Sequence, residues 1–188
     1  QGDVSHGVYA FTPDSQKLIY STDEFGEFSQ AWSYDIGSQT KKVNYSTNWD
    51  VRFTYFSKKG KYQVTGVNAD AQTQLDILNT RNGKKISLPD LPKGDLRGVS
   101  FSADESTMVF YINSDTSPSN LYVHKIGSST VRRLTDTGNP AIKEENLVAG
   151  EVVRFKSFDG VEIPGILYKP KQAVVKKVPA LIWIHGGP

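Results

Sequence analysis

A 45-residue period constrains this chain more than any other feature. Phe11, Phe56 and Phe101 stand 45 residues apart and then 45 again. Each is followed by a hydroxyl residue (Thr12, Ser57, Ser102) and a polar turn. Each turn leads into a β-rich run: Lys17-Leu18-Ile19-Tyr20, Tyr62-Gln63-Val64-Thr65 and Thr107-Met108-Val109-Phe110. The later parts correspond too. Ile36-Gly37-Ser38 and Ile126-Gly127-Ser128 are two periods apart, and the middle copy carries Asn79-Thr80-Arg81-Asn82-Gly83, slipped by about one residue.

One period reads as a four-stranded meander. The first strand ends at the Phe, and a Ser/Thr-x-Asp turn satisfies local N–H groups with side-chain oxygens. The apolar run is the second strand. The third is Gln30–Tyr34, Gln74–Leu78 or Asn120–His124. A glycine turn leads to a short fourth strand, ending at Val43, at Ile86-Ser87-Leu88 or at Leu134-Thr135. Four strands in about 40–45 residues, repeated in register, is the signature of β-propeller blades. A β-sandwich also recurs every 8–12 residues, but without a register-preserving copy of this length. Three blades do not close a ring, since closed propellers need at least about four. Further blades are therefore expected upstream of Gln1.

The repeat ends at Asp136-Thr137-Gly138-Asn139-Pro140, a turn cluster. This predicts blades over residues 1–138, a linker over 139–150 and a second domain over 151–188. Glu151–Lys156 is its first strand, and Ser157-Phe158-Asp159-Gly160 its hairpin turn, with Asp-Gly supplying the positive φ angles. Val161–Tyr168 returns, and Pro164 marks that strand as an edge or a bulge. Lys176-Lys177 lies in a solvated loop. Ala180-Leu181-Ile182-Trp183-Ile184 then reads as a buried central strand, with Trp183 in its core, delivering His185-Gly186-Gly187-Pro188. A hairpin, a loop and a buried strand are how an α/β-hydrolase sheet opens. The fold class is mostly β: propeller blades, then the first strands of an α/β-hydrolase domain.

Blades, a linker, the stretch from Ser157-Phe158-Asp159-Gly160 to Ile166-Leu167-Tyr168-Lys169-Pro170, and the final His-Gly-Gly-Pro together resemble the prolyl oligopeptidase family of serine peptidases (family S9). The acylaminoacyl-peptidase-like and dipeptidyl-peptidase-like members are the nearest pattern. The resemblance implies a fragment of a serine peptidase that cleaves short peptides through an acyl-enzyme, with the propeller gating access. It also implies that Gly187, with Gly186 beside it, supplies an oxyanion-hole N–H, and that His185 braces the loop rather than moving protons. The family's Ser, Asp and His follow this turn, and no G-x-S-x-G occurs in residues 1–188. The chain alone is therefore expected to be inactive. Expected partners are a peptide substrate and the remaining blades and hydrolase domain of the same protein, with an oligomer left open. Carboxylesterase-like hydrolases share the turn but lack blades. A non-catalytic TolB-like propeller has blades but lacks the tail.

The remaining signals are plainer. Net charge is +2, which implies no nucleic-acid partner. No apolar run approaches the ~20 residues of a membrane span. The absence of cysteine excludes disulfides and thiol chemistry and leaves the compartment, cytoplasmic or exported, undecided. His6 and His124 stand apart from any carboxylate pattern, so neither a metal nor a cofactor is expected. Asp23, Glu24 and Glu27 read as a solvated loop, and the Lys/Arg pairs after the third strands as exposed hairpin ends.

Overall fold

The computed structural model describes residues 3–70 and 72–184. Three four-stranded antiparallel sheets follow one another along the chain, each in simple meander order. The first holds β1 (His6–Phe11), β2 (Lys17–Thr22), β3 (Gln30–Asp35) and β4 (Lys41–Tyr45). The second holds β5 (Asp50–Phe56), β6 (Tyr62–Ala69), β7 (Gln72–Asn79) and β8 (Lys84–Lys85). The third holds β9 (Asp95–Phe101), β10 (Thr107–Ser114), β11 (Ser117–Lys125) and β12 (Val131–Arg133). These are the propeller-type blades that the period predicts. A two-stranded hairpin follows, β13 (Glu151–Lys156) with β14 (Glu162–Leu167). No α-helix occurs among the described residues, only short 3-10 turns at Glu144–Asn146 and Lys171–Val174.

The turn after each first strand is built identically three times. The N–H groups of Thr12, Ser57 and Ser102 each donate to the carbonyl five residues on, all at 2.9 Å. In return, the N–H groups of Lys17, Tyr62 and Thr107 donate to the hydroxyls of Thr12, Ser57 and Ser102, at 3.0, 2.9 and 3.1 Å. Asp14 and Asp104 complete the outer copies by accepting from Thr12 and Ser102, at 2.6 and 2.5 Å. Those bonds hold both carboxyls below the usual carboxylate range. Ser15, Gly60 and Glu105, again 45 apart, all take left-handed backbone, with φ of 58, 74 and 58°.

The core lies between sheets, because each meander has two faces and buries them on its neighbours. Ile19 and Ala31 of the first sheet pack on Val51, Val67 and Ala69 of the second. Tyr62, Val64 and Ile77 of the second pack on Met108, Phe110, Ile112 and Tyr122 of the third. Burying one such large apolar side chain contributes about 1.5–3 kcal/mol. Polar links reinforce the joints. The Tyr9 hydroxyl donates to the Val51 carbonyl at 2.5 Å, and the Tyr55 hydroxyl to the Val99 carbonyl at 2.8 Å. Further out, the Tyr45 hydroxyl donates to Asp76, which also pairs with Lys85 at 2.6 Å.

Several expectations change. In the second sheet the fourth strand is only Lys84–Lys85, and Ile86 adds one bond, from its N–H to the Ile77 carbonyl at 2.8 Å. The third sheet's last strand stops at Arg133. The matched Ile-Gly-Ser segments also turn differently. Gly127 takes φ 88°, whereas in the first sheet Gln39, not Gly37, is left-handed. There the Asp35 carboxylate accepts from the Ser38 N–H at 2.9 Å and shifts the bend by two residues. In the β13–β14 hairpin only Gly160 has positive φ (87°). Asp159 instead accepts the Val161 N–H at 3.1 Å, and the Ser157 N–H donates to the Val161 carbonyl at 2.8 Å, so the loop is longer than a two-residue turn.

The largest correction concerns Ala180–Ile184. These residues form no strand. Leu181, Ile182, Trp183 and Ile184 are 83–88 % exposed, so Trp183 is not in a core. A strand needs a neighbour to take its N–H and C=O groups, and no described strand lies beside this segment.

Candidate functional site

Gly186, Gly187 and His185 lie outside the described residues, so the built part of the candidate site is the hairpin that precedes them and its seat on the blades. Successive turns of a meander alternate between the two ends of a sheet. The β2–β3, β6–β7 and β10–β11 turns therefore share one end of their blades, and the hairpin meets the blades at that end.

Two aspartates hold it there. Asp70 sits in the β6–β7 turn with φ 52°, a conformation that Asp tolerates better than most residues. It pairs with the Arg154 guanidinium of β13, which also reaches Glu162 of β14 at 3.0 Å. Asp115 sits in the β10–β11 turn. One of its oxygens accepts the Gly150 N–H at 2.9 Å, and the other accepts the Tyr168 hydroxyl at 2.8 Å. The Asp115 bond, with some burial, raises the Tyr168 pKa, and the Asp70 bond raises that of Arg154. Asp70 and Asp115 are one repeat apart. Sequence reasoning missed both, although the 45-residue period marks them once the Phe positions are aligned.

The hairpin has little apolar seating. Phe155, Phe158, Val161 and Ile166 are all more than half exposed, and Phe158 completely so. Pro164 fits its place on β14, which among the described residues pairs only with β13.

The other singled-out residues have structural work. Asp23 accepts the Ser5 N–H at 2.8 Å, and Glu24 pairs with Lys41 at 3.1 Å, so the acidic loop is largely engaged in holding itself. His124 is buried, with its Nδ1 2.9 Å from the Thr130 carbonyl. His6 faces Tyr20 beside a cavity of about 260 Å³ on the first sheet. A second cavity, of about 330 Å³, opens between the second and third sheets. Among the described residues no three His, Asp or Glu side chains group as metal ligands. No helix there is long and apolar enough to cross a membrane.

No family model matches the chain. A stretch of 99 residues is 28 % identical to the uncharacterized peptidase YuxL of Bacillus subtilis (strain 168), covering 52 % of this chain and 15 % of that protein. A structure from a study of two prolyl endopeptidases superposes with a TM-score of 0.69 at 17 % identity, over 91 % of this chain and 25 % of the other. A puromycin-hydrolyzing peptidase of Mycobacterium tuberculosis gives 0.68 at 11 %, over 87 % and 26 %. The chain thus spans about a quarter or less of the length of these relatives. Sequence likeness to a peptidase over about half of the chain and likeness of fold to prolyl endopeptidases agree with the resemblance that the motifs carry.

Proposed function

We propose that this chain is the part of a serine peptidase in which the last propeller blades run into the start of an α/β-hydrolase domain. The division falls near residues 1–138, 139–150 and 151–188. The observation that carries the reading is the junction itself: a Ser157-to-Pro170 hairpin of family pattern, clamped to the turn ends of two blades, with His-Gly-Gly-Pro following it in the chain. Plain esterases have no blades, and a bare binding propeller has no such hairpin.

In this reading the Gly187 N–H donates to the oxyanion of the tetrahedral intermediate, where a preorganised donor stabilises charge as it forms. Gly186 allows the close approach, and His185 braces the loop. The attacking Ser, its His base and the orienting Asp come from outside residues 1–188. The blades limit access to short peptides. Within the family, the acylaminoacyl-peptidase and dipeptidyl-peptidase patterns match best.

The test is an active-site-directed fluorophosphonate applied to the full-length protein, together with hydrolysis of short peptide anilides. Labelling of one Ser beyond Pro188 with loss of hydrolysis is expected. Absence of both labelling and hydrolysis would overturn the reading.

A further inference from the structure

Arg52 and Arg97 occupy the same place in successive repeats, 45 residues apart, on the first strands of the second and third sheets. Both line the cavity of about 330 Å³ between those sheets, with Phe53, Thr73, Leu96 and Gly98. The first repeat carries Gly7 at this place, so the pair is confined to one joint.

The lining of the cavity is of two kinds. Phe53 and Leu96 contribute apolar surface. The Phe53 ring is fixed, because it lies against Gly66, where an added Cβ would come within 2.3 Å of the ring. It also stacks on Tyr55, with centroids 6.0 Å apart. Arg52 and Arg97 contribute charge. Arg97 is steadied by Asp95 at 3.1 Å. Among the described residues no carboxylate lies within ion-pair distance of Arg52. A guanidinium offers a planar fork that matches a carboxylate. A fixed apolar wall beside an unpaired fork suits a group that joins an apolar side chain directly to a carboxylate. A terminal peptide residue has that form, whereas Asp and Glu side chains bring no apolar branch. The volume suits one residue, being at the small end of the ligand-pocket range of about 300–1,000 Å³.

We propose that this cavity binds the terminal carboxylate of a peptide that ends in an apolar residue, with Arg52 as the principal contact. The peptide identity of the ligand rests on the peptidase reading above.

The test is calorimetric binding to the full-length protein of four probes: N-acetyl-leucine, N-acetyl-leucine amide, the α-amide of N-acetyl-aspartic acid (side-chain carboxylate free) and acetate. N-acetyl-leucine should bind about tenfold more tightly than its amide, the scale of one charge-assisted hydrogen bond. It should also exceed the side-chain carboxylate of the aspartyl probe, and acetate. Arg52→Gln should erase the acid-over-amide preference while leaving the amide's own affinity unchanged, and Arg52→Lys should keep part of it. Equal affinity for acid and amide, acetate binding as tightly as N-acetyl-leucine, or a preference that survives Arg52→Gln would each overturn the proposal. The readout needs no turnover. A carboxylate preference in a protein that cleaves no peptide would sink the peptidase reading and leave this site standing.

Discussion

The Tyr55 hydroxyl reaches from the second sheet to the Val99 carbonyl of the third, 2.8 Å away. Tyr9 makes the equivalent reach from the first sheet to Val51 of the second. A tyrosine thus ties the first strand of each of the first two sheets to the sheet that follows. Burial pushes the Tyr55 hydroxyl up to about 12. A raised phenol pKa contributes stability below the ordinary value near 10, and that contribution is lost as pH climbs from about 10 to 12. Tyr55→Phe should cost about 1 kcal/mol at neutral pH, the usual net worth of one hydrogen bond. It should also flatten the alkaline limb of the stability curve. Denaturant melts of the full-length protein between pH 8 and 11 read both.

Gly60 is the point at which the first two blades touch through their turns. Its φ of 74° favours glycine, and an added Cβ would stand 2.2 Å from Pro13 Cγ. Gly60→Ala therefore meets two separate costs. The left-handed backbone costs about 1–2 kcal/mol for a residue with a Cβ, and the overlap adds to it. Pro13→Gly in the same protein should relieve the overlap and leave the backbone cost. A double variant as unstable as Gly60→Ala alone would show that Pro13 does not press on this position.

The blades were legible because a period is a strong signal. Phe, Ser/Thr and a turn recur with fixed offsets, and each offset corresponds to a hydrogen bond of one repeated turn. What failed was local chemistry that the period does not record. Asp35 moved the bend after β3 by capturing the Ser38 N–H, although Ile36-Gly37-Ser38 matched Ile126-Gly127-Ser128 letter for letter. Ala180–Ile184 read as a strand because it is apolar and short, but strand formation is a property of pairs, and a single segment does not reveal its partner. Sequence reasoning passed over Asp70 and Asp115, because a repeat position does not reveal what is seated on it. Only the hairpin seated on them shows their role.

Glu105 shows how a variable repeat position can become a joint. It is buried in the turn of the third sheet and accepts the Lys59 N–H of the second at 2.6 Å. Burial alone would raise its pKa. Hydrogen bonds from the Ser57 side chain and from the Lys59 and Lys61 N–H groups outweigh that, so the carboxyl sits below its ordinary value. A lowered carboxylate pKa gives stability that is present above the unfolded-state value, near 4.3–4.5, and is lost as pH falls below it. Glu105→Gln should cost about 1.5–3 kcal/mol at neutral pH, the range for hydrogen bonds to a charged group. The gap to wild type should narrow in acid melts near pH 3. A gap independent of pH would show that the charge is not what holds the joint.

The clamp at Asp70 should be weak and salt-dependent. Arg154 and Asp70 are 40 and 34 % exposed, and exposed pairs are screened by salt. Asp70→Asn keeps the left-handed preference of the turn and removes only the charge. Cleavage by a nonspecific protease in the 157–161 loop of the full-length protein should rise about two- to fivefold at low salt, the effect of losing one exposed pair. In wild type the same rise should appear on adding 0.5 M salt, and the variant should show no further response. A variant that remains as salt-sensitive as wild type would show that another contact seats the hairpin.

Gly187 carries the proposed chemistry through its backbone, so a side chain there acts by blocking rather than by deleting the donor. Gly187→Val in the full-length enzyme should lower kcat on a peptide anilide by about 10²–10³, the cost of one oxyanion-hole donor. KM should change less, because the donor strengthens its bond only as negative charge forms on the substrate oxygen. His185→Gln gives the contrast. A brace retains a hydrogen-bonding side chain in Gln and should lose far less than a general base would. It should leave the pH–rate profile unshifted, since its role is not proton transfer. An unchanged kcat in Gly187→Val would remove the turn from the mechanism, and a displaced acid limb in His185→Gln would make that histidine a proton carrier.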